Sequence, residues 1–128
     1  MQLYKNFIDG KWIESESKET IKVDDPATGK VFAEIACAKK AEVDQAVQAA
    51  KNSFISRVLV DMPLLERAKL MHNIADETRK VANEGGKILC YENGKLLSAG
   101  IKEFNDVADM FDYYAGLTDK LEGKTIPV

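Results

Sequence analysis

A chain of 128 residues has the length of one ordinary domain, and with 45% hydrophobic and 30% charged residues, three Pro and eight Gly, it has a globular and not a disordered composition. Its 18 basic and 21 acidic side chains are interspersed and leave a net charge of -3, which provides no basic field for a nucleic-acid backbone or an anionic membrane. No tract is collagenous, mucin-like or of low complexity.

Met1 to Asn6 carries no apolar run long enough for a signal peptide, and no later segment reaches the length of a membrane span. The expected compartment is the cytoplasm, with neither membrane nor nucleic acid as partner. Cys37 and Cys90 are far apart and belong to no Cys-x-x-Cys pair, so two reduced, partly buried thiols are expected in place of a disulfide, a zinc site or a redox dithiol.

Asn6-Phe7-Ile8 and Lys11-Trp12-Ile13 flank Asp9-Gly10, the dipeptide that most readily supplies the two positive φ angles of a two-residue hairpin turn. Ile21 and Val23 alternate as in a half-buried strand, Asp25 to Lys30 is a turn with Pro26 early and Gly29 late, and Val31, Ala33, Ile35 and Cys37 alternate again. These runs predict a small antiparallel meander of about four strands over residues 1–38, in need of a helix packed on it.

From Ala41 the period changes to about 3.6. Val43, Ala46, Val47, Ala50 and Phe54 form one stripe, with Glu42 and Asp44 near the helix N-terminus, where the dipole favours them. Arg57 to Met62 breaks this helix, and Pro63 suits the first turn of the next, whose stripe is Leu64, Ala68, Met71, Ala75 and Thr78. Gly85-Gly86 is expected to interrupt, because two helical glycines cost about 2 kcal/mol relative to alanine. A short helix from Lys87 to Glu92 should then stop at Asn93-Gly94. A long amphipathic helix follows, with Leu97, Ile101, Phe104, Ala108, Phe111 and Ala115 on one face and Asp106, Met110 and Tyr113 on a second, mixed face. Thr125 to Val128 resembles the entry to a strand. The fold class is therefore α+β: a small meander plus three or four helices over residues 41–122.

Chemistry is sparse in the residues themselves. No G-x-G-x-x-G or Walker spacing is present, so nothing cradles a phosphate. His72 is the single histidine and reads as a helix-surface residue. Cys90 sits among Ile88, Leu89 and Tyr91 and reads as a packed thiol, although Lys87 and Lys95 lie near in sequence. Glu66-Arg67, Glu92 and Glu103 are acid or base candidates only as any such group is.

Several motifs together resemble the aldehyde dehydrogenase superfamily. Phe7-Ile8-Asp9-Gly10-Lys11-Trp12 is similar to its N-terminal hairpin and Asp25-Pro26-Ala27-Thr28-Gly29-Lys30 to its Asn-Pro-Ala-Thr-Gly turn. Val43 to Ala50 resembles its first helix, Pro63 with Glu66-Arg67 its second, and Glu92-Asn93-Gly94-Lys95 its Asp/Glu-x-Gly-Lys loop. Tyr113-Tyr114-Ala115-Gly116, Asp119-Lys120 and Glu122 to Val128 resemble the approach to its catalytic part. Departures are Arg57-Val58-Leu59 where the family often has Trp, Leu96 where it often has Pro, and Gly85-Gly86.

The resemblance implies the N-terminal part of an enzyme that oxidises aldehydes to carboxylic acids with NAD or NADP. A cysteine thiolate attacks the carbonyl, hydride passes to nicotinamide, and a glutamate activates the water that hydrolyses the thioester; an asparagine side chain and a backbone amide hold the oxyanion. In the family those residues and the Rossmann strands follow the portion that this chain resembles. Hence no catalytic or cofactor-binding residue is carried over, no cofactor is expected to bind this chain alone, and the chain alone is expected to be inactive. Glu92, with the backbone of Val23 and Asp24, matches a monovalent-cation site of several members, the alternative being that Glu92 caps its own loop. Asp106 and Met110 match positions lining the aldehyde tunnel. The expected partner is the remainder of such a polypeptide or a second copy, and the alternative function is a free-standing interaction or oligomerisation domain.

Overall fold

The computed structural model describes residues 2–127, so the Val128 end of the expected strand entry lies outside the described residues. The chain gathers into two compact units, Met1–Val58 with Leu89–Lys95 and Leu59–Ile88 with Leu96–Val128.

The first unit holds β1 (Gln2–Tyr4), β2 (Asn6–Ile8), β3 (Lys11–Ile13), β4 (Thr20–Asp25), β5 (Lys30–Ala36) and α1 (Lys40–Ser56). Asp9 and Gly10, at φ 51 and 75, close β2 on β3 with Phe7 opposite Trp12, as the dipeptide predicts. The single antiparallel meander is corrected. Five strands form two sheets, the β2–β3 hairpin and a three-stranded sheet of order β1-β5-β4 in which β1 runs parallel to β5. The two-residue turn closes the hairpin on itself, and β1 takes the free edge of β5; the long excursion between them permits parallel pairing. The β4–β5 turn is held by Asp25, which is buried: its carboxylate accepts from the Ala27 N–H at 2.9 Å and the Thr28 hydroxyl at 2.8 Å, and Gly29 takes φ 67.

Helix α1 lies where its period predicts, yet its orientation differs from a core-seated helix. Glu42 is buried, Ala46 and Ala49 are half-buried, and Gln45, Gln48 and Asn52 line a groove of about 390 Å³ with Ile8 and Ile13 of the hairpin. The apolar stripe points outward, Val47 being 62% and Phe54 81% exposed. The cause lies in the first turn. Glu42 Oε1 accepts from the Glu16 N–H at 2.8 Å and the Ser15 hydroxyl at 3.1 Å, and its Oε2 accepts from the Lys39 N–H at 2.9 Å. These bonds fix the rotation of the helix about its axis and close its N-terminus.

Arg57, at φ 55, ends α1, and the predicted break contains a single helical turn, α2 (Val58–Asp61). The second unit is built on α3 (Leu64–Lys80) and α5 (Leu97–Ala115), which pack on each other. Pro63 stands just before α3 and its carbonyl accepts the Arg67 N–H at 2.9 Å. Ala75 of α3 and Ala108 and Ala115 of α5 are buried, all three on the predicted stripes.

The interruption expected at Gly85-Gly86 is also corrected, since α4 (Ala82–Asn93) runs through both glycines. A Cβ on Gly86 would meet the Ile101 backbone nitrogen at 2.7 Å, and one on Gly100 would meet the Gly86 carbonyl oxygen at 2.7 Å. The glycines allow α4 and α5 to approach, and that packing offsets their poor helix propensity. Helix α4 stops where Asn93-Gly94 predicts, with Gly94 at φ 72 and its N–H bonded to the Cys90 carbonyl at 3.0 Å.

Helix α5 ends at Ala115, short of the expected helical limit at 122, and residues 120–127 have no regular structure. No strand begins at Thr125 among the described residues, and no described helix is long and apolar enough to cross a membrane.

Candidate functional site

In the first unit the end of α4 is seated beside the β4–β5 hairpin. The Tyr91 and Phe32 rings lie 5.6 Å apart, and a Cβ on Gly94 would stand 3.2 Å from Pro26 Cγ, so the glycine permits the close approach. The β4–β5 register jumps from Val23–Ala33 to Asp24–Val31, leaving Phe32 as the extra residue of a bulge. Val23 and Asp24, the two proposed carbonyl donors, therefore flank the point where the ladder is interrupted. Glu92 and Asp24 are exposed and Val23 is half-buried. Glu92 and the bulge thus fall within one compact unit. Among the described residues no group of three or more His, Cys, Asp or Glu side chains is placed to hold a metal ion.

In the second unit α5 presents two faces of different character. Its inner side meets α3 through a charged clasp that sequence reasoning missed. His72 Nδ1 lies 2.6 Å from Asp112 Oδ1, while Arg79 Nη2 donates to Asp112 Oδ2 at 2.5 Å and to Asp109 Oδ1 at 2.8 Å. His72, then Arg79, hold the Asp112 carboxyl below its ordinary value, and Asp112, then Asp109, hold the Arg79 guanidinium above its own. His72 is thus a half-exposed helix-surface histidine, as its position predicts, and it contributes to packing two helices. No local signal links residues 40 apart in sequence. Glu42 did leave a signal: an acid three residues into a helix start is the reciprocal half of a capping box. The backbone N–H of Glu16 and further N–H groups around it, aided by the Ser15 hydroxyl, lower its carboxyl to about 2.

The outer side of α5 carries Asp106 and Met110, on the face opposite buried Ala108. Asp106 accepts from Lys102 Nζ at 2.6 and 2.7 Å, one helical turn away, and Met110 is 57% exposed. Tyr113 stands on the same side with its ring 5.3 Å from that of Tyr114. The face thus mixes the Lys102–Asp106 ion pair with the apolar bodies of Met110 and Tyr113. Cys37 and Cys90 are both free and half-buried. Arg67 donates to the Val60 carbonyl at 2.7 Å and to that of Met62 at 3.2 Å, which makes it a clamp on the turn before α3.

Comparison with known proteins gives these features a family. A model of the aldehyde dehydrogenase family matches residues 12–128. Malonate-semialdehyde dehydrogenase 1 of Geobacillus kaustophilus is 34% identical over 95% of this chain and 25% of its own length. Retinal dehydrogenase 2 of Homo sapiens is 37% identical over 97% of this chain and 24% of its own length. Among solved structures, an NAD-dependent aldehyde dehydrogenase from Sinorhizobium meliloti superposes with a TM-score of 0.86 at 31% identity, covering 95% of this chain and 24% of its own. A point variant of betaine aldehyde dehydrogenase from Staphylococcus aureus, solved in complex with NAD+, also gives 0.86, at 27% identity over 98% of this chain and 26% of its own. The chain spans about a quarter of the length of these relatives. Matched by the family model over nearly its whole length, the chain belongs to the aldehyde dehydrogenase family and corresponds to its N-terminal portion.

Proposed function

We propose that this chain is the N-terminal portion of an NAD(P)-dependent aldehyde dehydrogenase, an oxidoreductase converting aldehyde to carboxylic acid, and that its own part is to scaffold the cofactor domain and form one wall of the substrate tunnel. The outward apolar stripe of α1 carries this reading, because a helix with that pattern is built to be covered and no element among the described residues of its own unit covers it. In the assembled enzyme the partner is the remainder of the polypeptide, which supplies the nucleophilic cysteine, the glutamate, the asparagine and the nicotinamide site. Asp106 and Met110 line the tunnel on the outer face of α5. Glu92 and the Val23 and Asp24 carbonyls hold a monovalent cation beside the β5 bulge, a hard-oxygen site for a hard ion. The free, half-buried Cys37 and Cys90 suit a cytoplasmic location and have no histidine within their own unit to activate them.

The alternative is a non-catalytic interaction or oligomerisation domain derived from the same fold, which covers α1 by self-association. The activity assay tests the first. The purified 128-residue chain, given a panel of aliphatic and aromatic aldehydes with NAD or NADP, should form no NADH or NADPH. Turnover that is lost in Cys90→Ser would overturn the scaffolding role.

A further inference from the structure

We propose that Asn93 is a site of spontaneous deamidation, and that the stop of α4 is the gate that controls its rate. Asn93 is the one asparagine in the chain that glycine follows, and glycine presents its backbone nitrogen with no side chain to shield it. Asn52, Asn73, Asn83 and Asn105 lie inside helices and precede residues with side chains, and Asn6 lies in β2 before Phe7. Asn93 and Gly94 are both exposed, so water and base reach the pair. The reaction needs only the chain's own atoms and solvent, so it holds under either role above.

The end of α4 is half primed and half guarded for this reaction. The Asn93 side chain folds forward over the next peptide, its Oδ1 accepting the Lys95 N–H at 3.3 Å, and that donor draws charge away from Cγ. The nucleophile is held back. The Gly94 N–H donates to the Cys90 carbonyl at 3.0 Å, and Gly94 sits at φ 72 with Pro26 Cγ 3.2 Å from where a Cβ would stand. Tyr91 seats this last stretch of helix, its ring 5.6 Å from that of Phe32. When the stretch opens, base removes the Gly94 amide proton and the nitrogen attacks Asn93 Cγ. The N–Cγ bond forms, the Cγ–Nδ2 bond breaks, and Nδ2 takes a proton from water and leaves as ammonia. Water then opens the succinimide ring at either carbonyl, which gives aspartate or isoaspartate. Either product sets a new carboxylate beside Glu92. Isoaspartate also lengthens the backbone by a methylene at the point where Gly94 meets Pro26.

Ageing the 128-residue chain in mildly alkaline buffer, followed by peptide mass spectrometry, tests the proposal. The mass gain of an amide-to-acid exchange, with release of ammonia, should appear in the peptide that holds Asn93 ahead of every other asparagine. Unfolding in urea should speed it by roughly tenfold, the protection expected of one hydrogen bond and the helix stop around it. Tyr91→Ala, at an exposed position and checked for folding by circular dichroism, should speed it several-fold in native buffer, and Asn93→Gln should remove it. The isoaspartate form should melt below Asn93→Asp, which carries the same charge on a backbone of native length. Equal rates in native buffer and in urea, a folded Tyr91→Ala that ages no faster than the parent, or earlier conversion of another asparagine would overturn the proposal. Should Tyr91→Ala fail to fold, the comparison with urea decides. An isoaspartate form as stable as Asn93→Asp would overturn the loosening of Gly94 from Pro26.

Discussion

Replacing Gly86 by alanine sets two known effects against each other. An alanine inside a helix is favoured over glycine by about 1 kcal/mol, so on propensity alone the substitution stabilises α4. The new Cβ, however, would stand 2.7 Å from both the backbone nitrogen and Cγ1 of Ile101, and 3.1 Å from the carbonyl carbon of Gly100. Backbone atoms in a helix cannot swing aside, and overpacking of this kind costs about 3 kcal/mol, at the upper end of its usual range. The net expectation is a loss of about 2 kcal/mol, or roughly 8 °C in melting temperature for a chain of this size. Gly100→Ala should behave alike, since its Cβ meets the Gly86 carbonyl oxygen at 2.7 Å. Once one methyl has driven the helices apart, the second occupies space already opened, so the double variant should lose clearly less than the two single losses added. Gly123→Ala, with nothing within 4 Å of its Cβ, is the neutral control. Thermal unfolding followed by far-UV circular dichroism reads all four. A rise in melting temperature for Gly86→Ala would show that propensity governs and that the two helices are not pressed together there.

Two further outcomes concern charge. Glu42 titrates at about 2 in the folded chain against an ordinary 4.5, so the stability it confers is fully present above pH 4.5 and is lost as pH falls through 2. Glu42→Gln should therefore lower the melting temperature at neutral pH, with the gap to the parent closing between those values; a gap that stays constant down to pH 2 would remove the carboxylate's charge from the account. Asp112 is likewise held below its ordinary 3.8, first by His72 and then by Arg79, so Asp112→Asn should destabilise the α3–α5 pair at neutral pH and lose that effect below about pH 4. Arg79→Ala added to it should cost little more, because both remove the same clasp, and full additivity would place the two residues in separate networks.

Where local chemistry decides the structure, the sequence was readable. Asp9-Gly10 forms its hairpin, Asn93-Gly94 stops α4, and the Ile101 to Ala115 part of the α5 stripe faces inward, Leu97 being exposed, because a positive φ or a 3.6 period leaves few alternatives. Where a distant segment decides, it was not. Gly85-Gly86 reads as a break until Ile101 and Phe104 are placed against it, and β1 reads as a loose terminus until β5 offers an edge. His72 and Asp112 carry no mark of each other. Of the candidate site, the end of α4 and the Val23–Asp24 stretch of β4 opposite the β5 bulge do come into one unit, and Asp106 and Met110 do share the outer face of α5. Their chemistry reached the page through family resemblance, because one carboxylate with two carbonyls, or one acid beside a methionine, is too common a pattern to specify a site.

The case of α1 shows why amphipathicity and orientation are separate questions. The apolar period identifies which face is energetically in need of cover. It does not identify what provides the cover. That is settled by the strongest local anchor, here three hydrogen bonds to Glu42, which tie the first turn of the helix to Ser15, Glu16 and Lys39 and so bring the amide-bearing side onto the hairpin. A carboxylate drawn down to about 2 by N–H donors holds its geometry at any physiological pH, so the helix cannot rotate to bury Val47 and Phe54 within its own unit without giving up those bonds. The chain thus spends its polar contacts on fixing α1 and leaves the apolar stripe of Val43, Val47 and Phe54 exposed.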